Sequence, residues 1–176
     1  ITVPYIVSSV NDIPEIKKVR NQKIKEGSSF KTIALDNIVH DNDHSDNAII
    51  WTTAVTSKIK KHGVKVAINN NRTASIQLPN ANWFGIFTVR YTATDPEKAS
   101  VSTTATYEVT SVNDKPVLKS IPGQTIKEGG KFALIEYDQF VSDADHSVKS
   151  LAWEIKGNKK LKVIHSLVSF YMQPLM

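Results

Sequence analysis

Two short acidic motifs carry the clearest chemical potential in this chain: Asp41-Asn42-Asp43-His44-Ser45 and Asp143-Ala144-Asp145-His146-Ser147. Two carboxylates separated by one residue project from a single loop and can share a hard cation. Calcium takes six to eight oxygen ligands from carboxylates, amide or backbone carbonyls and water. Further oxygen donors are Asn11 and Asp12, Asn113 and Asp114, Glu26, and Asp95. Without a cation, clustered carboxylates repel one another. A histidine beside an aspartate could also bind a transition metal or act as a base. His44 and His146, however, recur in both copies of the motif, which favours a structural role. Asp41 and Asp43 do not suit glycoside hydrolysis, which needs carboxylates across a substrate cleft. No H-E-x-x-H, G-x-S-x-G or phosphate-cradling glycine loop is present. No catalytic residue is assigned, and the chain reads as a non-enzyme.

The motifs belong to a longer duplication. VND at 10–12 recurs at 112–114, IKEG at 24–27 recurs at 126–129, and Trp51 maps to Trp153. Every pair is offset by 102 residues. Segments 10–62 and 112–164 share 21 identities in 53 positions, where chance gives about three. The unit length is that of one Ig-sized domain. In the same register ITVPYIVSS at 1–9 lines up with TTATYEVTS at 103–111. The expected organisation is therefore 1–9 as the final strand of a preceding repeat, 10–111 as a complete repeat, and 112–176 as an incomplete one. Register is lost after about Lys162. The tail HSLVSFYMQPLM is read as a truncation or a shifted frame.

The elements that position the acids are strands. IFTVRYTAT at 86–94 alternates, with Phe87, Val89, Tyr91 and Ala93 on one face. SVSTTATYEV does the same with Val101, Thr103, Ala105, Tyr107 and Val109. VKVAI at 64–68 and ASIQL at 74–78 flank an NNNR turn. AIIWTTA at 48–54, FKTIALD at 30–36 and an opening strand over 15–25 complete seven strands, A to G, with no helix. That is the pattern of an all-β, Ig-like sandwich. Trp51 and Trp153 read as core residues on strand C. Trp83, in PNANWFG, reads as a loop anchor, with an exposed contact as its alternative.

Strand order decides which loops meet. Asn11 and Asp12 of the linker, Asp41 and Asp43 of the B–C loop, and Asp95 of the F–G loop all fall at one end of the repeat. Glu26, in the A–B loop, falls at the other end, facing the next linker. Glu26, Asn113, Asp114, Asp143 and Asp145 are thus expected to form a calcium site at the domain junction.

Composition narrows the function classes. The chain lacks cysteine, which excludes a disulfide framework and a thiolate metal site. Its net charge is +5, with lysine clusters at Lys58, Lys60 and Lys61 and at Lys156, Lys159, Lys160 and Lys162. No nucleic-acid motif accompanies them, so they read as solvated surface rather than a nucleic-acid footprint. No apolar run reaches about 18 residues, so no membrane insertion is expected in this fragment.

VND followed by proline, IKEG, DNDHS, PNANWFG, FTVRYTATDPEKAS and a closing strand together resemble the bacterial cadherin-like, Ig-fold tandem repeats of large surface proteins and adhesins. The resemblance covers 10–111 and about half of the remaining chain. It implies tandem cadherin-like sandwiches, calcium at the junctions, and an extracellular or cell-surface location of bacterial type. It also implies a spacer or adhesion role. The implied partners are neighbouring repeats of the same chain and a cell-surface protein or glycan. The competing expectation is a carbohydrate-binding accessory module of a secreted enzyme, with Trp83 as its one candidate contact.

Overall fold

The computed structural model describes residues 5–57, 63–154, 156, 161–165 and 169–174. Lys58, Lys60, Lys61, Lys159 and Lys160 lie outside these residues, as does the start of the 1–9 segment. The chain divides into two compact units, Ile1–Val112 and Asn113–Met176.

Unit 1 is a β-sandwich. One sheet has the order β2–β9–β8–β5, built from Gln22–Lys25 (β2), Ser100–Thr110 (β9), Gly85–Thr94 (β8) and Ile50–Ser57 (β5). The other has the order β3–β7–β6, from Ile33–Ala34 (β3), Thr73–Gln77 (β7) and Lys65–Ile68 (β6). Glu15–Ile16 (β1) pairs separately with Val39–His40 (β4). The expected opening strand is thus two pieces. β1 joins β4, whereas β2 runs parallel to β9. Strand B, expected over 30–36, is cut short at Ala34, because the backbone turns through a 3-10 helix at Leu35–Ile38, and pairing resumes only in β4, beyond the expected end. Each division lets one run of chain serve two sheets, which period-2 alternation alone does not reveal.

The alternation of β8 and β9 is realised. Phe87, Val89, Tyr91, Ala93, Ala105, Tyr107 and Val109 are buried. Phe87 stacks on Tyr107 with ring centroids 5.4 Å apart, and Phe30 meets Tyr107 edge-on at 5.1 Å. Such pairs add about 0.5–1.5 kcal/mol beyond area burial. The Tyr91 and Tyr107 hydroxyls bond each other at 2.7 Å inside this core. Burial pushes both phenol pKa values up. Trp51 packs against the core, half-buried. Trp83 sits edge-on to Phe87 at 5.7 Å, so it anchors its loop.

Unit 2 repeats part of this plan. Val117–Leu118 (β10) pairs with Val141–Ser142 (β12), as β1 pairs with β4. Ile135–Glu136 (β11) is followed by a 3-10 turn at Tyr137–Phe140, as β3 is. The tail, which shows no repeat register, forms an antiparallel hairpin of Leu161–His165 (β13) and Ser169–Pro174 (β14). β14 pairs with β11, so the order β11–β14–β13 matches β3–β7–β6. Tyr137 is buried against Trp153 with centroids 4.6 Å apart. No strand is assigned around Trp153 among the described residues, although its counterpart Trp51 lies in β5.

Candidate metal centre

At one end of unit 1 three loops converge. β8 stops at Thr94 because Asp95 turns the chain: its backbone N–H donates to Ala99 O, and Lys98 N–H donates back to Asp95 O. Lys98 has φ 81, a left-handed conformation that such a tight return requires. Asp95 Oδ1 accepts the Ala99 N–H at 2.9 Å, and Asp95 Oδ2 accepts from Asn11 Nδ2 at 2.8 Å. The B–C loop is wound around Asp41. Its Oδ1 accepts the N–H of Asp43 at 3.0 Å and of His44 at 2.8 Å, with His44 Nδ1 at 3.2 Å. The linker is tied to the same loop, since Asp12 N–H donates to Asp43 Oδ2 at 2.6 Å. Asn42 Nδ2 reaches Asp12 Oδ2, and Ser9 Oγ reaches Asp43 Oδ1.

The structure therefore brings together Asn11, Asp12, Asp41, Asp43 and Asp95. Asp95 is fully buried and Asp41 is 6% exposed. Burial pushes the Asp95 carboxyl pKa up. Hydrogen bonds from Asn11 and the Ala99 N–H, together with nearby His44, outweigh it and hold it below the ordinary carboxylate range. Two oxygens, Asp41 Oδ2 and Asn11 Oδ1, are buried with no hydrogen-bond partner. Ligand atoms of Asp41, His44 and Asp95 lie within 4.8 Å of one another. A dry anion is costly unless paired or metal-bound, and the spare atoms here are hard oxygens of the kind calcium takes.

The loop supporting this cluster is clamped from below. Arg72 closes the Asn69–Thr73 turn with φ 56, and its Nη2 donates to the carbonyls of Asp46 and Ile49, each at 2.8 Å. Its Nε pairs with Asp36. His44 and Arg72 are the two residues that the acidic pattern alone does not single out. His44 was detectable from its duplication at His146. Arg72 carries no sequence signal beyond the turn it ends.

Unit 2 carries the same wiring. Asp145 and His146 N–H donate to Asp143 Oδ1 at 2.9 and 2.7 Å. Asp114 N–H donates to Asp145 Oδ2, as Asp12 does to Asp43. Asn113 Nδ2 bonds the Asp114 carbonyl instead. Burial pushes the Asp143 carboxyl up, but the N–H groups of His146 and Asp145 and the His146 ring hold it below its ordinary value. Asp143, Asp145 and His146 form a second potential ligand group, and no counterpart of Asp95 is found among the described residues of unit 2.

Glu26 lies at the opposite end of unit 1. Its Oε1 accepts the Val112 N–H, and its Oε2 is buried without a partner. The 11 residues of β9 separate this end from the Asp95 turn, about 35 Å at strand rise.

No curated protein matches the chain. Among solved structures it is similar to the protocadherin gamma B7 extracellular cadherin domains 1–4, at 15% identity and TM-score 0.45, over 93% of this chain and 41% of that one. It is similar to human CDH23 EC21-23 at 15% identity and TM-score 0.45, over 97% and 57%. It is similar to the human desmocollin-1 ectodomain at 12% identity and TM-score 0.41, over 93% and 34%. The chain thus spans less than two thirds of each. The family model for the bacterial Ig domain matches residues 11–110, more than half of the sequence. With that match over the sandwich just described, the chain belongs to the bacterial Ig domain family.

Proposed function

We propose that this chain is a non-catalytic repeat module of a secreted or cell-surface protein. In this reading it is a spacer or adhesion element whose repeats are stiffened by calcium. The observation that carries the reading is the pair of buried, unpartnered oxygens, Asp41 Oδ2 and Asn11 Oδ1, beside the buried carboxylate of Asp95. Asp41, Asp95 and Asn11 would hold the ion, with Asp43 and Asp12 as further candidate oxygen ligands from the adjoining loop and linker. A bound calcium would supply positive charge against the buried carboxylates of Asp41 and Asp95. The protein's own part is to preorganise: the Asp43 and His44 N–H groups fix Asp41, and the Ala99 N–H fixes Asp95.

The same reading proposes that Glu26, Asn113, Asp114, Asp143 and Asp145 form a set at the junction of the 10–111 and 112–176 repeats. Its supports are the spare Glu26 Oε2 and the duplicated loop wiring. The carbohydrate-binding alternative needs an exposed aromatic platform. Trp83 packs against Phe87 instead, which favours the spacer reading.

Thermal unfolding and small-angle scattering with calcium and with a chelator test the proposal. Binding to the folded state alone adds about 2.7 kcal/mol at a hundredfold excess over the dissociation constant. For a domain of this size that is a midpoint rise of roughly 10–20 °C. Asp143→Asn with Asp145→Asn removes the junction's share of the response. A chain whose midpoint and scattering ignore calcium refutes the reading.

A further inference from the structure

In unit 1, β2 ends one sheet and β3 ends the other, and neither outer edge is paired to a described strand. Between these edges lies a groove of about 670 Å³. Val19, 4% exposed, and the half-buried Ile24 and Ile33 supply its apolar lining. Its rim carries Lys18, Arg20, Lys23 and Lys31, and no lining residue is acidic or aromatic. Lys23 reaches Glu108 at 2.7 Å. Lys18, Arg20 and Lys31 have no carboxylate partner among the described residues. The two walls are stapled together: Gln22 Nε2 donates to Lys31 O at 3.0 Å, and Lys31 N–H donates to Gln22 Oε1 at 2.8 Å.

Unit 2 supplies an internal control. It has a groove at the equivalent place, and each lining residue, Ile121, Gln124 and Phe140 among them, stands 102 positions after a lining residue of the first. The staple is kept, as Gln124 brackets Ala133 in the same way. The charge is not kept. Ser120, Pro122, Thr125 and Ala133 stand where unit 1 has Lys18, Arg20, Lys23 and Lys31, and Glu136 stands at the position of Ala34. The basic rim is therefore a property of unit 1 and not a by-product of the fold.

We propose that this groove docks an extended acidic peptide whose acidic residues alternate with apolar ones. An unpaired strand edge offers main-chain hydrogen bonds to an added strand, and flanking pockets select its side chains. The apolar lining suits one face of such a strand, and the three cations without a carboxylate partner, Lys18, Arg20 and Lys31, suit its acids. Lys18 and Arg20 are exposed on either side of buried Val19. Residues two apart in an extended chain are about 6.6–6.8 Å apart, the spacing at which a strand repeats on one face. With no aromatic ring in the lining, the groove lacks a stacking surface for sugar rings.

The test uses the full chain and a fluorescent peptide of alternating valine and glutamate, read by anisotropy and by amide shifts. An alternating valine–lysine peptide and heparin run in parallel. The expected result is saturable binding of the glutamate peptide that weakens with salt, shifts confined to 18–24 and 31–34, and no binding of the lysine peptide. Lys18→Glu with Lys31→Glu weakens binding by at least about tenfold. Lys18→Ser with Lys31→Ala, which installs the residues of unit 2, weakens it less. The side chains replaced are exposed, so an unchanged thermal midpoint verifies folding. Absent peptide binding, or binding indifferent to the charge reversal, overturns the proposal. Heparin binding that depends on Lys18 and Lys31 while the peptide stays silent overturns it in favour of an anionic glycan.

Discussion

Replacing Arg72 isolates how the acidic loop is held. Its guanidinium donates to the Asp46 and Ile49 carbonyls and pairs with Asp36, and the side chain is 25% exposed. Hydrogen bonds to a charged group contribute about 1.5–3 kcal/mol each when shielded. An ion pair of this exposure contributes about 0.2–1 kcal/mol. Water replaces part of both, so Arg72→Ala is expected to destabilise unit 1 by about 2–4 kcal/mol. Arg72 also sits at φ 56, a conformation that costs a residue with a Cβ about 1–2 kcal/mol. Arg72→Gly loses the same contacts but sheds that strain. It is expected to be the more stable of the two by about 1 kcal/mol. Native-state hydrogen exchange of β8 amides reads unit 1 alone. A loss below about 0.5 kcal/mol in Arg72→Ala would show that water satisfies both carbonyls. Arg72→Gly falling below Arg72→Ala would contradict the strain argument.

Two further outcomes concern the core and the site. Asp95 has a folded pKa below its unfolded value, so its stabilisation is fully present above about pH 4 and is lost as pH falls through the lower folded value. An acid titration of unit 1 shows this limb, and Asp95→Asn flattens it; an unchanged acid limb would remove Asp95 from the account. Tyr91→Phe leaves the Tyr107 hydroxyl buried and alone, with an expected cost of about 1–3 kcal/mol. Adding Tyr107→Phe returns part of that loss in a double-mutant cycle, and strictly additive losses would contradict the pairing.

The alternation in β8 and β9 was legible because central strands with one buried face leave a period-2 record. The gathering of Asn11, Asp12, Asp41, Asp43 and Asp95 was legible too, since strand parity alone sends their loops to one end. The divisions of strands A and B were not. Two-residue pairings such as β1 with β4 depend on distant partners and leave no local pattern. The hairpin β13–β14 escaped for the same reason: it takes the place of β6 and β7 without keeping the repeat register. Burial of Asp41 and Asp95 is a property of the assembled loops, so the spare oxygens could not be foreseen. Arg72 and Asp36 are 36 positions apart, and Lys18 and Lys31 line one groove only because two sheet edges are adjacent. Nothing in their spacing announces either association.

The amide spectrum during a calcium titration reads directly whether Asp41 and Asp95 hold an ion. The N–H groups of Asp43, His44 and Ala99 donate to the carboxylates of Asp41 and Asp95, so they report any ion those groups hold. Saturable shifts are expected at these three amides in the wild-type chain, reversed by chelation and abolished in Asp41→Asn. Amides that stay fixed at saturating calcium, or that shift equally in Asp41→Asn, would contradict it.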